Sequence, residues 1–384
     1  MTIQRIDRPN LLDSLANSLN TANVCTQLNI LGTFYALIKM FCTLQLPAKR
    51  KQFYEKAPLL FNYLFELCQR TLQVESPRFK IHAVEDAFPT FLLEVFNHFL
   101  ARGQELRIIK TILKAFIQLR TLQVESPNFD LLHLCLKCIC KLYIQGFKNH
   151  AVDDAFPTFL LEVFNHFLAR GQELRIIKTI FKAFIQLETT DPCFFSESPP
   201  CMTLVQVLYD YIRERTISST QEIEKLIILK TFVLFRGLLE FLKMNHSEND
   251  ISKERMNLAK ERIQNYFDET KATSICEILI TRYFVCTEEE CQGIMNEPEE
   301  YISQEEADNW QFNSKVCSSF VFQELVNKYR NVVCPMIANL FYQTINLPLV
   351  SENEIDQKCA VYDAINFCAA DLCELIDFDQ ALRT

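Results

Sequence analysis

Apolar positions between residues 154 and 188 recur with a helical period rather than the alternation of a strand. Phe156, Phe159, Leu160, Val163, Phe164, Phe167 and Leu168 form one stripe, with Thr158, Glu162, Asn165 and His166 off it. This predicts a helix over 154–169. Pro157 suits a first turn, where its missing N–H costs nothing. Asp153 or Asp154 is placed to cap that turn, and Gly171 to end the helix in the left-handed conformation. Over 174–187 only Arg175, Lys178, Thr179, Lys182 and Gln186 are polar. They make a narrow stripe, so a second helix over 172–188 is buried around more than half its circumference. Such a pair cannot cover its own faces and needs neighbours above and below.

The same periodicity predicts helices near 9–19, 22–45, 49–70, 86–101, 104–120, 129–145, 202–214, 221–244, 253–267, 271–285, 313–329, 331–346 and 354–376. Irregular stretches are expected over 188–200, 245–250 and 286–313. Paired, these helices give units of roughly 45 residues, the size of HEAT or armadillo repeats. The fold expected is all-α, a HEAT/armadillo-type helical-repeat solenoid built as a superhelix of antiparallel helix pairs. Residues 1–384 form one array in this reading, with 286–313 as an inter-helix loop.

One unit is written twice. Residues 79–119 recur at 147–187 with differences only at Ile81/Asn149, Glu85/Asp153 and Leu113/Phe181, and RTLQVESP at 70–77 returns at 120–127. Removing 78–127 joins the first RTLQVESP to NFDLLHLCLKCICKLYIQGF and deletes one whole pair, so stacking phase survives. The copies agree at solvent positions too (Asn97/Asn165, Gln104/Gln172), which packing alone does not require. A duplicated exon and a gene-model error both account for it.

Composition narrows the function. There are only six glycines, no two closer than 25 residues, whereas phosphate-cradling loops and dinucleotide fingerprints need them clustered. Neither a sheet-rich fold nor a nucleotide-binding α/β fold is expected on that ground. MTIQRIDRPN has no apolar core, so the sixteen cysteines are expected as free thiols in a reducing compartment. Most sit on apolar helix faces, as at Cys42, Cys68, Cys138, Cys317 and Cys368. No uncharged apolar run reaches membrane-spanning length. The net charge of −9 disfavours nucleic acid and favours basic protein partners.

Candidate chemistry is sparse. Cys135 and Cys138 of CLKCIC share a helix face, but Cys140 points elsewhere and His133 lies on another face, so a buried structural role is expected rather than a metal site. His98 and His166 read as structural histidines, and the Asp153–Asp154 pair as a cap. Neither a nucleophile elbow, a zinc-protease helix nor a Walker sequence occurs. No enzyme activity and no cofactor are expected. The non-generic surface feature is 287–310, TEEECQGIMNEPEEYISQEEADNW, with nine acids and no Lys or Arg. Glu288, Glu289, Glu290, Glu297, Glu299, Glu300, Glu305, Glu306 and Asp308 supply the charge; Tyr301 and Trp310, the only Trp of the chain, supply aromatic surface. Aromatics beside charges are common at binding hot spots, so this segment is the candidate partner-binding site, with a plain solvated loop as the competing reading.

Three stretches carry a family resemblance: ICEILITRYFVCTEEE (275–290), NEPEEYISQEEADNWQFNSKVCSSFVFQELVNKY (296–329) and AVYDAINFCAADLCELIDFDQAL (360–382). With weaker collinear support over 132–147 and 49–65, the chain resembles the importin-β (karyopherin-β) family of nuclear transport receptors. The resemblance implies stacked HEAT repeats, binding of the GTPase Ran, protein cargo with basic segments, contact with nucleoporins, and passage between cytoplasm and nucleus; it implies neither nucleic acid nor membrane as partner. Nothing in 1–30 resembles the family's amino-terminal Ran-binding region, so an internal slice of an importin with one extra helix pair is expected. The alternative is a HEAT scaffold without transport activity, left by truncation.

Overall fold

A computed structural model describes residues 47–75, 129–146, 154–171, 173–215, 221–244, 250–286, 313–345 and 352–378, with isolated positions at 19, 27–28, 30–32, 34–35, 38, 292 and 295–296. Among the described residues every regular element is helical. The chain divides into two compact units, 1–190 and 191–384.

In the first unit, α1 (Pro47–Glu75), α2 (Phe129–Gly146), α3 (Ala155–Arg170) and α4 (Leu174–Thr190) form two stacked hairpins. Phe61 of α1 meets Tyr143 of α2, and the Cys135 thiol donates to the Leu64 carbonyl, so the two helices run antiparallel. Tyr143–Phe156 and Phe129–Phe167 make α3 antiparallel to α2. Phe61–Phe156 at 5.4 Å and Phe65–Phe159 at 4.9 Å, both edge-to-face, then lay α3 parallel to α1. The α1/α2 hairpin therefore closes directly, although residues 76–128 lie between its helices in the chain. The first sequence copy, 79–119, with His98, lies outside the described residues, as does most of 9–45.

The second unit runs α5 (Pro192–Glu197), α6 (Pro199–Glu214), α7 (Glu222–Phe241), α8 (Asp250–Tyr266), α9 (Glu269–Ile278), a π-turn (Leu279–Tyr283), α10 (Ser314–Lys328), α11 (Arg330–Ile345) and α12 (Glu352–Leu372). Phe232 packs edge-on to Tyr283, Phe235 to Phe267, and the Arg236 guanidinium lies 4.1 Å from the Phe320 ring centroid. These contacts seat α7 between the α8–α9 region and α10.

The helical periods hold closely. Phe156, Phe159, Leu160, Val163, Phe164 and Phe167 are buried, as are Ile176, Ile177, Ile180, Phe181, Ala183, Phe184 and Leu187 of α4. Gly171 takes φ +60, and its N–H reaches the Phe167 and Leu168 carbonyls. Two expectations are modified. Asp154 sits at the N-cap position of α3 in helical conformation and makes no side-chain cap hydrogen bond, while Asp153, the other expected cap, lies outside the described residues. Instead its carbonyl accepts from the Thr158 hydroxyl at 2.6 Å. The stretch 188–200, expected to be irregular, contains a short helix. Asp191 accepts from Phe194 N–H at 2.9 Å with Pro192 in the first turn, and α6 begins at Pro199. Pro192 and Pro199 start helices, because an N-terminal turn has no use for their missing N–H. The structure adds a buried oddity: Gln69 is 1% exposed and neither of its amide atoms is bonded among the described residues.

Because α1 and α2 already pack against each other, deletion of 78–127 is expected to leave a cooperative fold, whereas removing α3 alone takes Phe156 and Phe159 away from Phe61 and Phe65. Burying such side chains contributes ~1.5–3 kcal/mol each. Equal damage to the two thermal melts would contradict this. Separately, Gln69→Leu is expected to raise the unfolding free energy by about 1 kcal/mol or more, since an unpaired buried amide costs ~1–3 kcal/mol. Leu is the residue that precedes the second RTLQVESP, at Leu119. A denaturant midpoint that falls would refute the assignment.

Candidate functional site

The chain is firmly held on either side of the acidic segment. Its incoming end comes after a π-turn in which Phe284 N–H reaches back to the Leu279 carbonyl at 2.9 Å. Tyr283, fully buried, donates its hydroxyl to the Ile212 carbonyl at 3.0 Å and the Arg215 carbonyl at 3.1 Å. Burial, the larger cause, raises the Tyr283 pKa despite the nearby Arg282. Phe284 packs edge-on against Phe322 at 5.3 Å and Phe367 at 5.6 Å. The outgoing end is Asn313, whose side-chain oxygen accepts from Lys315 and Val316 N–H and starts α10. A single-turn π-bulge in a helix re-aims the chain beyond it and is frequent beside functional segments. Sequence periodicity runs straight through 271–285 and gives no sign of it.

Glu288, Glu289, Glu290, Glu297, Glu299, Glu300, Tyr301, Glu305, Glu306, Asp308 and Trp310 all lie outside the described residues. Of the segment, Gln292, Met295 and Asn296 are described as helical, with Met295 83% exposed.

The CLKCIC thiols go to the core. Cys135, Cys138 and Cys140 are all buried, Cys140 included, although the helix period turns it away from the other two. The Cys138 thiol donates to the Leu31 carbonyl, and burial pushes its pKa up to about 12. Cys68 and Cys135 are raised well above the usual thiol value, again chiefly by burial. Thiols kept protonated and bonded to carbonyls are poor nucleophiles and poor ligands. His133 Nε2 lies 3.1 Å from Thr179 Oγ1 and so ties α2 to α4. His166 has its pKa lowered, first by burial and then by Arg170. Among the described residues no cluster of His, Cys, Asp or Glu is arranged to hold a metal, and no helix is long and apolar enough to cross a membrane.

One polar constellation escapes sequence reading. Lys271 lies over the Tyr266 ring at 3.6 Å and the Tyr209 ring at 5.4 Å, and donates to Gln206 Oε1 at 3.0 Å. Gln206 also accepts from the Tyr266 hydroxyl and donates to Asp210, while the Tyr209 hydroxyl lies 3.0 Å from Ser274 Oγ. The groups satisfy one another, so the cluster fastens α6, α8 and α9 together. Burial lowers the Lys271 pKa. Its members are scattered over some seventy positions of chain and form no local motif.

No family model matches the chain. It is 23% identical over 401 aligned positions to importin-11 of Mus musculus, covering 98% of this chain and 36% of that protein. Human importin-11 gives 23% over 97% of the chain, and the importin beta-like protein KAP120 of Saccharomyces cerevisiae gives 22% over 67%. Among solved structures it is similar to Lph2, described as a bidirectional nuclear transport receptor in S. cerevisiae, with a TM-score of 0.73, 16% identity and 98% of this chain covered. The chain spans about 36% of the length of the importin-11 proteins it matches. Its homologues are importin-11 and other importin-β family members, and its fold is the helical solenoid of a karyopherin.

Tyr283→Phe removes one buried donor from two carbonyls and is expected to cost about 1 kcal/mol without changing helix content. An unaltered denaturant midpoint would show that the π-turn is held by ring packing alone.

Proposed function

We propose that this chain serves as, or forms part of, an importin-β-type nuclear transport receptor, which moves between cytoplasm and nucleus and carries protein cargo with Lys/Arg-rich segments. What supports the reading above all is collinear similarity to importins over almost the whole chain. Ran in its GTP form and nucleoporins are the further partners proposed with it, by analogy with the whole receptors. The acidic segment Glu288–Trp310 is the cargo contact in this proposal: nine carboxylates between two fixed ends attract a basic segment at long range, and Tyr301 or Trp310 anchors it. HEAT-type arrays position partners and supply no nucleophile, which agrees with a non-enzymatic role.

The test is affinity for a Lys/Arg-rich cargo peptide across a salt series, wild type against a variant with Glu297, Glu299, Glu300, Glu305 and Glu306 changed to Gln and Asp308 to Asn. Wild-type binding is expected to weaken as the Debye length shortens from ~10 Å at 0.1 M to ~3 Å at 1 M. The neutralised variant should bind more weakly and with a flatter salt slope, at little cost in stability because exposed charges contribute little. Trp310→Ala should remove a further ~2 kcal/mol if the ring is a hot spot. Identical affinity and slope in the variant would reduce the segment to a solvated loop. Cargo retention on adding Ran-GTP would turn the reading toward a scaffold without transport activity.

A further inference from the structure

The second unit settles many of its cations internally. Arg215, Arg236, Arg255, Arg262, Lys315 and Arg330 each stand 2.7–3.8 Å from a carboxylate. One face of the first unit does the opposite. The contact between His133 and Thr179 sets α2 beside α4. Against another side of α2, the Cys138 thiol reaches the Leu31 carbonyl and the Lys137 ammonium lies 4.7 Å from the Tyr35 ring centroid. Lys137 and Lys141 follow His133 at i+4 and i+8, and Arg175, Lys178 and Lys182 lie within about one turn of Thr179, so all five share the face on which the two helices meet. Arg175, Lys178 and Lys182 are exposed, and Lys137 and Lys141 half-buried. Among the described residues, Lys141, Lys178 and Lys182 make no ion pair.

The sequence supplies no counter-charge either. Acids are 48 of the 384 residues, yet none occurs over 14–54, 131–152 or 174–187, the stretches that contribute Tyr35, α2 and α4. Asp130 stands at the start of α2 and Glu173 in the turn before α4, while Glu188 of α4 is buried. In a chain of net charge −9 this is a local reversal of sign.

We propose that this face docks an Asp/Glu-rich peptide segment of a partner protein. Residues one turn apart on a helix stand ~5–6 Å apart. An extended peptide returns a side chain to the same side every second residue, at ~7 Å, and flexible lysine stems absorb the difference. From Arg175 to Lys182 is ~10 Å of helix, so about three or four extended residues cover the α4 row. The α2 row lies one helix spacing away, ~8–10 Å. A short acidic peptide therefore ends within the patch. A long polyphosphate overruns it onto a chain of net charge −9, which repels it. This site is opposite in sign to the acidic segment and does not depend on it.

The probe is a fluorescein-labelled peptide of alternating Glu and Ser, titrated with the full chain at low salt and read by anisotropy. Changing Lys141, Lys178 and Lys182 together to Gln should weaken binding at least about tenfold, each exposed contact carrying a factor of roughly two to five. Changing the same three to Glu should abolish it. Arg213, Lys243 and Lys253, exposed cations of the second unit, changed to Glu make the same change in net charge and should cost far less. If either Glu variant does not fold, Gln at both sets carries the same comparison. Equal losses from the two sets would reduce the effect to net charge and overturn the docking face, as would failure of the wild type to bind the peptide. A single-stranded oligonucleotide that binds more tightly than the peptide, and is lost with the same lysines, would overturn the choice of partner. Carbodiimide coupling of peptide carboxyls to lysine amines then places the contact. Arg107, Lys110 and Lys114 repeat the α4 cations in the first copy, so tryptic adducts are assigned by Phe181 against Leu113. Adducts on Lys141, Lys178 and Lys182 are expected, and adducts confined to other lysines would overturn the assignment.

Discussion

The structure depends on apolar helix faces that only the next hairpin can cover. Phe156 shows this most directly: one ring from α3 lies against Phe61 of α1 and Tyr143 of α2, so a single side chain seals one hairpin to both helices of the one before it. Each such burial contributes ~1.5–3 kcal/mol, and its partners come from neighbours in the stack. Stability in such an array is close to a sum of nearest-neighbour interfaces. This constrains function as well. The interior is given over to stacking, with thiols such as Cys135 and Cys138 bonded to backbone carbonyls.

Polar groups in the second unit fix which helices meet rather than how strongly they hold. Arg255 makes a bidentate contact with Glu197, Nε to Oε1 at 3.2 Å and Nη2 to Oε2 at 2.8 Å, and lies 3.7 Å from Asp191, so α8 docks on the short α5 in one register. The cluster around Lys271 does the same for α6, α8 and α9. These side chains are partly exposed, so water and salt screen them and their net contribution is small. Their alternatives are costly all the same, because a slipped register leaves an ammonium or guanidinium half-buried without its partners. The π-turn and the Asn313 cap extend this discipline to the ends of the acidic segment.

The range of each interaction decides how much of this is legible in the sequence. The stripe Phe156 to Phe167 depends on side chains three and four residues apart, and counting along the chain is enough to find it. The left-handed end at Gly171 and the helix start near 314, capped by Asn313, rest on equally local chemistry. The features that escape are set either by a choice among local options or by distant partners. The Asp-Pro and Ser-Pro-Pro steps at 191–200 fit a break and a helix start equally well, and burial of Phe194 and Phe195 decides for the helix. The π-turn is held by Ile212 and Arg215, some seventy residues upstream of Tyr283, and no window of local sequence contains them. For the acidic segment, the sequence supplies the composition and the structure supplies the fixed ends that present it.

The duplication is tolerated for the same reason that the fold is stable. A compact globule with one interlocked core could not accept fifty additional residues between two helices that must touch, because every surface already has a fixed complement. Here α1 and α2 meet across the excursion and α3 and α4 stack on them as though it were absent, since each interface involves only adjacent hairpins. The same modularity means that copying a hairpin also copies its complementarity. Nearest-neighbour stacking thus makes repeat arrays tolerant of gain and loss, and it also makes their register depend on differences between repeats. Near-identity of adjacent repeats removes that protection, and in this chain residues 79–119 and 147–187 differ in sequence at only three positions.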